Sequence, residues 1–393
     1  MVPSLEDQPW PSLGSQVCDF IEGYLVFGPG DLRGQPARLD DEKRALITRA
    51  YEVYPRGHQF EGRRRFKRVA LSLRKGSAKS ELAAWLAAAE LSVDGPVRTA
   101  GWDGHGNPEG GPVTDPFLVM CAYTEEQSDE IAYGALRVIL ELSRLSGDFD
   151  IGLARIMRKT GDGKAVSQAT APDSRDGART TWQHFDESHR FTLPRLKQAH
   201  RTMLANIPKR RTADAWSLET TTAPAPGEGS VAESTMEYAR KVSDGSTSDT
   251  TLFFFHRQAS DDIRLYDGKG DVDFAAVRKA VTEASGPVAG WSDIEGIIDQ
   301  WRDPTADRAY LERVWLNRLV RASDRAFDAN RWRENARPDF TVPDGSLITL
   351  GFDGARYHDA TAIVGTHVES GYQWIVGLWE CPMGVDKWET PEA

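Results

Sequence analysis

The sequence predicts an α/β protein built on a mainly parallel sheet. Three observations carry that prediction. Several short apolar runs show no polar alternation: residues 69–73, Phe117-Leu-Val-Met-Cys-Ala122 and Thr251-Leu-Phe-Phe-Phe255. A strand covered on both faces reads this way. Segments of helical spacing lie between those runs, and strands alternating with helices imply parallel pairing under two helical layers. Finally, the first run leads into a tight polar turn, Arg74-Lys75-Gly76-Ser77-Ala78, followed by Lys79-Ser80 and an alanine-rich stretch with Leu82, Trp85, Leu86 and Leu91 at helical spacing. Strand, glycine turn, Lys-Ser and helix make the plan of a phosphate-binding loop.

Composition sets the bounds. A length of 393 residues suggests two or three domains. With 40% hydrophobic and 27% charged residues the chain is globular in type rather than disordered. No apolar run approaches the roughly 20 residues that span a bilayer, so no membrane partner is expected. Residues 1–7 show no basic region followed by an apolar core, so no secretory leader is expected. Cys18, Cys121 and Cys381 lie far apart without metal-ligand spacing, which fits a reducing cytosol. The net charge of -11 excludes a chain coated for nucleic acid and leaves only local patches. Two exist: Arg63-Arg64-Arg65-Phe66-Lys67-Arg68 and Lys209-Arg210-Arg211. Each reads either as a phosphate contact or as a solvated loop before a buried strand.

The elements follow in order. Residues 1–31, rich in Pro, Gly and aromatics without a clear period, read as an irregular arm. Asp40 is the expected N-cap of a helix over residues 42–53. After the loop and its helix, residues 95–116 are dense in Gly and Pro and form a hairpin or extended excursion. The strand at 117–122 precedes a helix with Thr124 as N-cap and Gln127 completing a capping box, which carries Ile131, Leu136, Ile139, Leu140 and Leu142. Thr180-Thr-Trp-Gln-His-Phe-Asp186-Glu187 is a strand ending in two carboxylates, or a solvated turn. A helix with proline in its first turn covers 194–207. Trp216-Ser-Leu-Glu-Thr-Thr221-Thr222 is a strand closing on a hydroxyl cluster. Helices follow at 231–242, 273–284 and 291–301. A longer one starts at Asp303-Pro304-Thr305, with Tyr310, Leu311, Val314, Trp315 and Leu319 inward. A proline-bearing linker leads to three strands at 347–352, 361–366 and 372–379, with Asp353 ending the first and Asp359 in the turn after it.

In this order the pieces resemble the large terminase subunit of tailed phages, the motor that packages DNA into a procapsid. The resemblance implies a P-loop ATPase domain at 32–335 with a helical lid at about 270–335. A linker at 336–345 and the opening of a ribonuclease-H-like nuclease at 346–393 would follow. The phosphate loop departs from the glycine pattern at Leu73 and Ala78. Residues Arg74, Lys75, Gly76, Ser77, Ala78, Lys79 and Ser80 would hold ATP, with Lys79 on the β- and γ-phosphates. Ser80 and Asp186 would hold Mg²⁺, and Glu187 would orient the hydrolytic water. Thr221 and Thr222 would sense the γ-phosphate. Tyr54 or Phe60 would stack on adenine or belong to the core. Arg137, Arg175 and Arg179 are candidates for an arginine acting on a neighbouring subunit. Asp353 and Asp359 would be metal ligands of an incomplete nuclease, since the family's domain runs on with further carboxylates for two metal ions. The implied partners are double-stranded DNA, a portal protein and a small terminase subunit. The implied setting is a homo-oligomeric ring docked on a procapsid portal in the host cytoplasm. A helicase-like ATPase and a degenerate, non-catalytic scaffold are the other two readings.

Overall fold

The computed structural model describes residues 1–4, 10–123, 132–169, 178–320, 335–354 and 360–380. The chain divides into two compact units, Met1–Asp324 and Arg325–Ala393. In the first, the elements are α1 Gly14–Tyr24, α2 Asp41–Ala50, β1 Arg68–Ser72, α3 Lys79–Leu91, β2 Arg98–Trp102, β3 Pro108–Gly111, β4 Phe117–Ala122, α4 Ala132–Leu142, β5 Phe149–Ile151, β6 Arg155–Arg158, β7 Lys164–Ala169, β8 Trp182–Asp186, α5 Pro194–Asn206, β9 Trp216–Thr221, α6 Val231–Ser243, β10 Leu252–His256, α7 Phe274–Ser285, α8 Ile294–Asp299 and α9 Arg308–Leu316. One sheet runs in the order β10-β1-β9-β8-β4-β7-β6-β5. From β10 to β7 all neighbours are parallel, and β6 and β5 add an antiparallel edge.

Strands such as β4 are apolar throughout because alternate residues serve different layers. In β4, Leu118 and Met120 join the core beneath α3 and α4, while Val119 and Cys121 join a second core with α5 residues Leu196 and Met203. In β1, Val69 and Leu71 face the first core and Ala70 packs with Ala239 of α6. Helix α3 sits inside this first layer, and eleven of its thirteen residues are buried. Its alanines let the neighbouring elements approach closely on every side.

Several expectations change. The arm at 1–31 is not irregular: Gly14–Tyr24 is a helix with Val17, Cys18, Phe20 and Ile21 buried against the core. It has no side-chain cap, so no start signal marks it. The helix expected from Asp303 starts at Arg308, capped by Asp307, because Asp303 is spent on a turn with Thr305. Tyr310 and Leu319 are exposed rather than inward. Residues 291–301 are α-helical only over Ile294–Asp299. Helices α7 to α9 have a core of their own, built from residues such as Leu265, Val281, Ile298, Trp301 and Leu311. The expected cap at Thr124 and Gln127, with Ile131, lies outside the described residues.

In the second unit β11 Ile348–Asp353, β12 Ala360–His367 and β13 Gln373–Glu380 form an antiparallel sheet in chain order. Leu350, Phe352, Ile375 and Leu378 are exposed on it.

The first basic stretch is neither a solvated loop nor an open patch. Arg64 is 2% exposed, its guanidinium 4.0 Å from the Trp216 ring and 4.5 Å from Tyr51. Arg65 pairs with Glu52, and Arg63 and Lys67 pair with Asp214. Beside them the fully buried Glu90 accepts from Tyr51 Oη, Trp216 Nε1 and Arg98 Nη1 at 3.0, 2.9 and 2.9 Å. This carboxylate joins α3, α2's C-terminal residue, β9 and β2. Glu90→Ala would strand three donors, one of them the Arg98 guanidinium. It is expected to lose about 3–5 kcal/mol of stability in urea unfolding, well beyond the loss in Glu90→Gln. Equal, small losses would show that the network is not held by this charge.

Candidate active site

The site lies at the C-terminal ends of the parallel strands, where α/β sheets place their ligand crevices. Strand β9 lies between β1 and β8, and the register is decisive. Ser72 pairs with Thr221, and Thr220 pairs with Asp186. The last residues of three strands therefore end side by side.

After β1 the chain turns through Leu73 to Ala78. Gly76 has φ +73°, and Ala78 is left-handed at φ 57°. Ala78 occupies the N-cap of α3, with no side chain capping the first N–H groups. An uncapped helix N-terminus offers N–H donors and the positive end of the helix dipole to an anion. Ser77 Oγ is buried without a hydrogen-bond partner among the described residues. Lys79 is buried and donates to the carbonyls of Leu73 and Arg74 at 3.2 and 3.1 Å. Burial pushes its pKa down, while Glu187 and Asp186 oppose that. Uncapped N–H groups, an unused hydroxyl and an ammonium folded over carbonyls fit a polyphosphate.

Asp186 is held from both sides. Ser80 Oγ donates to its Oδ2 at 2.8 Å, and Thr220 Oγ1 donates to its Oδ1 at 2.8 Å. Adjacent oxygens in an Mg²⁺ octahedron lie about 2.9 Å apart, so the Ser80–Asp186 pair has the donor chemistry and spacing for that ion. Behind Thr220, the fully buried His184 lies 2.8 Å away through Nε2. Burial lowers its pKa. Because the Thr220 hydroxyl gives its proton to Asp186, Nε2 is the donor to Thr220 Oγ1.

Glu187 is left-handed, at φ 53°. Its Oε2 lies 3.0 Å from His189 Nδ1. Burial raises its pKa, but the His189 hydrogen bond and the charges of Lys79, His189 and Arg190 outweigh burial and bring it to about 2. His189 also bridges to the end of β9. Its N–H donates to Thr221 Oγ1 at 3.1 Å, and Nδ1 lies 3.3 Å from Thr222 Oγ1.

The structure thus brings together Lys79, Ser80, Asp186, Glu187, Thr221 and Thr222 with the loop residues. Arg74 turns away from the crevice, to Ser285 and Ser292 hydroxyls at 2.6 Å each. Tyr54 and Phe60 are not at the site. They pack with His58 in the segment preceding β1, on the side where strands begin. Arg137 lies along α4 beside Glu141, Arg179 precedes β8, and Arg175 lies outside the described residues. Asp353 is exposed at the end of β11, and Asp359 lies outside the described residues. The two basic stretches meet in a cleft of about 640 Å³, lined by Arg63, Arg98, Arg211 and Asp214, at the strand-start edge. Thr220, His184 and His189 were missed by sequence reading. The first two look like strand filler, and only the spacing of His189, two residues past Glu187, could have pointed to it.

Fold and site together define a P-loop ATPase fold on a mainly parallel sheet. The chain is similar over 93% of its length to the large terminase of bacteriophage HK97, with a TM-score of 0.56 and 16% identity, covering 67% of that chain. It has the large-terminase fold. It is also 24% identical over 366 residues to the Gene 13 protein of Mycobacterium phage L5, and 23% identical over 364 residues to that of Mycobacterium phage D29. Each alignment covers 86% of this chain, which spans 60% of the length of these relatives. No protein-family model matches it.

Two predictions follow from the geometry. The pKa of Glu187 is depressed from 4.5 to about 2, so its ionised form stabilises the fold. That contribution is complete above about pH 5 and is lost as the pH falls toward 2. The stability of the wild type relative to Glu187→Gln, read by denaturant unfolding from pH 7 to 2, should shrink across that window. A pH-independent difference would refute the assignment. Ala78→Gly removes left-handed strain of about 1–2 kcal/mol and adds about 0.5–1 kcal/mol of chain entropy. Stability is expected to rise by up to about 1 kcal/mol in thermal unfolding, and a loss would contradict the strained conformation.

Proposed function

We propose that this chain is the ATP-hydrolysing motor subunit of a phage terminase, driving double-stranded DNA into a procapsid. The convergence of Lys79, Ser80, Asp186 and Glu187 at the C-terminal sheet edge carries the reading. The 2.8 Å contact of Ser80 with Asp186 is its centre. The fold shared with the HK97 large terminase supports the motor assignment.

In this reading residues 32–335 are the ATPase domain, and α7 to α9 belong to its lid. The loop residues Arg74, Lys75, Gly76, Ser77, Ala78, Lys79 and Ser80 bind ATP, with the α3 N–H groups and Lys79 on its phosphates. Ser80 and Asp186 would hold Mg²⁺, which would supply neutralisation of phosphate charge. Glu187, ionised throughout the neutral range, accepts a hydrogen bond from the hydrolytic water and aims it. Thr221 and Thr222 sit where a γ-phosphate would be sensed, and His189 ties them to Glu187. DNA phosphates, a portal protein, a small terminase subunit and a ring of like subunits are the partners of this reading. The Arg63 and Arg211 cleft is its candidate DNA-backbone contact. The sheet β11–β13, whose first strand ends on Asp353, supports a nuclease-like second domain at 346–393 with Asp353 and Asp359 as metal ligands.

Steady-state ATP hydrolysis tests it, with and without double-stranded DNA. Lys79→Ala and Glu187→Gln should each lower turnover by about 100-fold or more, and DNA should stimulate the wild type. A folded wild-type chain that neither binds nor hydrolyses ATP would overturn the catalytic assignment. Turnover indifferent to DNA would overturn the motor assignment.

A further inference from the structure

Helix α9 ends in an unusual way. Asn317, the residue after it, is left-handed at φ 54° and fully buried. Its side-chain amide reaches the ends of three neighbouring strands. Nδ2 donates to Ser72 O at 3.0 Å, on the last residue of β1, and to Arg257 O at 2.8 Å, just past β10. Oδ1 accepts from Ala223 N at 2.6 Å, two residues past β9. The Ser72 carbonyl also accepts Arg257 N at 3.1 Å, so the amide adds a second bond there and ties the three strand ends together.

The helix itself contributes more. A helix C-terminus leaves its last carbonyls without partners. Here Val314 O accepts Lys75 N, inside the phosphate loop, at 2.7 Å, and Leu316 O accepts Ala259 N at 3.0 Å. One helix end is thus stitched to the strand before the loop, to the loop, and to the segment after Thr221 and Thr222. The residue at position 317 must tolerate a left-handed backbone, donate twice and accept once. Gly meets only the first demand, and Asp cannot donate. Asn meets all three.

We propose that Asn317 is a positioning residue that fastens the α7–α9 segment to the end of β1, just before the phosphate loop, and to the segment that follows Thr221 and Thr222, so that a change at either during hydrolysis is carried into the helical segment. The proposal rests on the ATPase reading above. A chain of contacts supports it: Glu187 to His189, His189 to Thr221 and Thr222, then Ala223 to Asn317. Asn317 touches neither nucleotide-binding hydroxyl nor carboxylate, so its removal should spare binding and damage coupling.

The test compares the full chain with Asn317→Gly, which keeps the left-handed turn and deletes the amide, and with Asn317→Asp, which keeps the acceptor and loses the donors. Each is first checked for folding by circular dichroism and thermal unfolding. ATP affinity should be unchanged, while stimulation of turnover by double-stranded DNA falls by about fivefold or more. Full stimulation in folded Asn317→Gly would overturn the proposal, as would an equal loss of ATP binding, which marks a merely structural role. Wild-type turnover is the internal control: if it is absent, the ATPase reading has failed, and exchange decides the inference. Amide hydrogen exchange on the unmodified chain with ATPγS and Mg²⁺ also covers variants that do not fold. Peptides containing residues 221–223 and 312–318 should change protection together, and independent change overturns the proposal.

Discussion

The crevice depends on one carboxylate. Asp186 ends β8 and is bonded on one oxygen to Ser80, at the start of α3, and on the other to Thr220, near the end of β9. Three segments distant in sequence meet on it. That meeting is possible only because β9 is inserted between β1 and β8 in parallel register, so that the strand ends are level. A one-residue slip in the β8–β9 pairing would turn Thr220 to the opposite face and remove its bond to Asp186. The sheet is therefore the ruler of the site, and the alternating cores on its two faces fix its register.

Strain is concentrated in the same place. Among the described residues five non-glycine positions have positive φ: Ala78, Asp115, Glu187, Asp214 and Asn317. Three of them border the crevice, and each stands at the terminus of a strand or helix. Ala78 swings α3 so that its N–H groups face the crevice. Glu187 breaks β8 so that consecutive carboxylates point differently, one to Ser80 and one to His189. Asn317 turns the chain off α9 and into the strand ends. Left-handed backbone at non-glycine residues persists only where the surroundings over-determine it. Asp214, the fourth, holds the opposite end of the sheet through Lys67 and the Arg64 backbone N–H.

Much of the fold was legible because its signals are local. The continuous apolar runs at β1, β4 and β10 announced strands buried on both faces, and the Gly76 turn with Lys79-Ser80 announced the loop. The Asp40 cap was legible as well, and its carboxylate does accept Lys43 N–H at 2.8 Å. What failed was long-range. Helix α1 lacks a cap and hides among Pro, Gly and aromatic residues; only its packing reveals it. The run of arginines looked like a surface patch because nothing local says that Asp214, Glu52 and Trp216 will enclose it. At the site, the carboxylate pair was visible, but Thr220, His189 and Asn317 act through partners tens to hundreds of positions away. No periodicity encodes such contacts.

The charges at the crevice follow one logic. Burial disfavours an ammonium at Lys79, yet Glu187 and Asp186 lie close enough to oppose that loss, and two carbonyls take its protons. Glu187 in turn stays ionised because Lys79, His189 and Arg190 outweigh its own desolvation. Each charge thus favours the other, without a direct salt bridge between them. A buried cation satisfied only by neutral carbonyls is poised to exchange them for phosphate oxygens, which offer hydrogen bonds of the same kind plus a charge. The carboxylates would then lose part of their balancing charge, and a divalent cation between Ser80 and Asp186 would restore it. In the proposed reading, polyphosphate and divalent cation would each offset charge that the other brings to Lys79 and the two carboxylates.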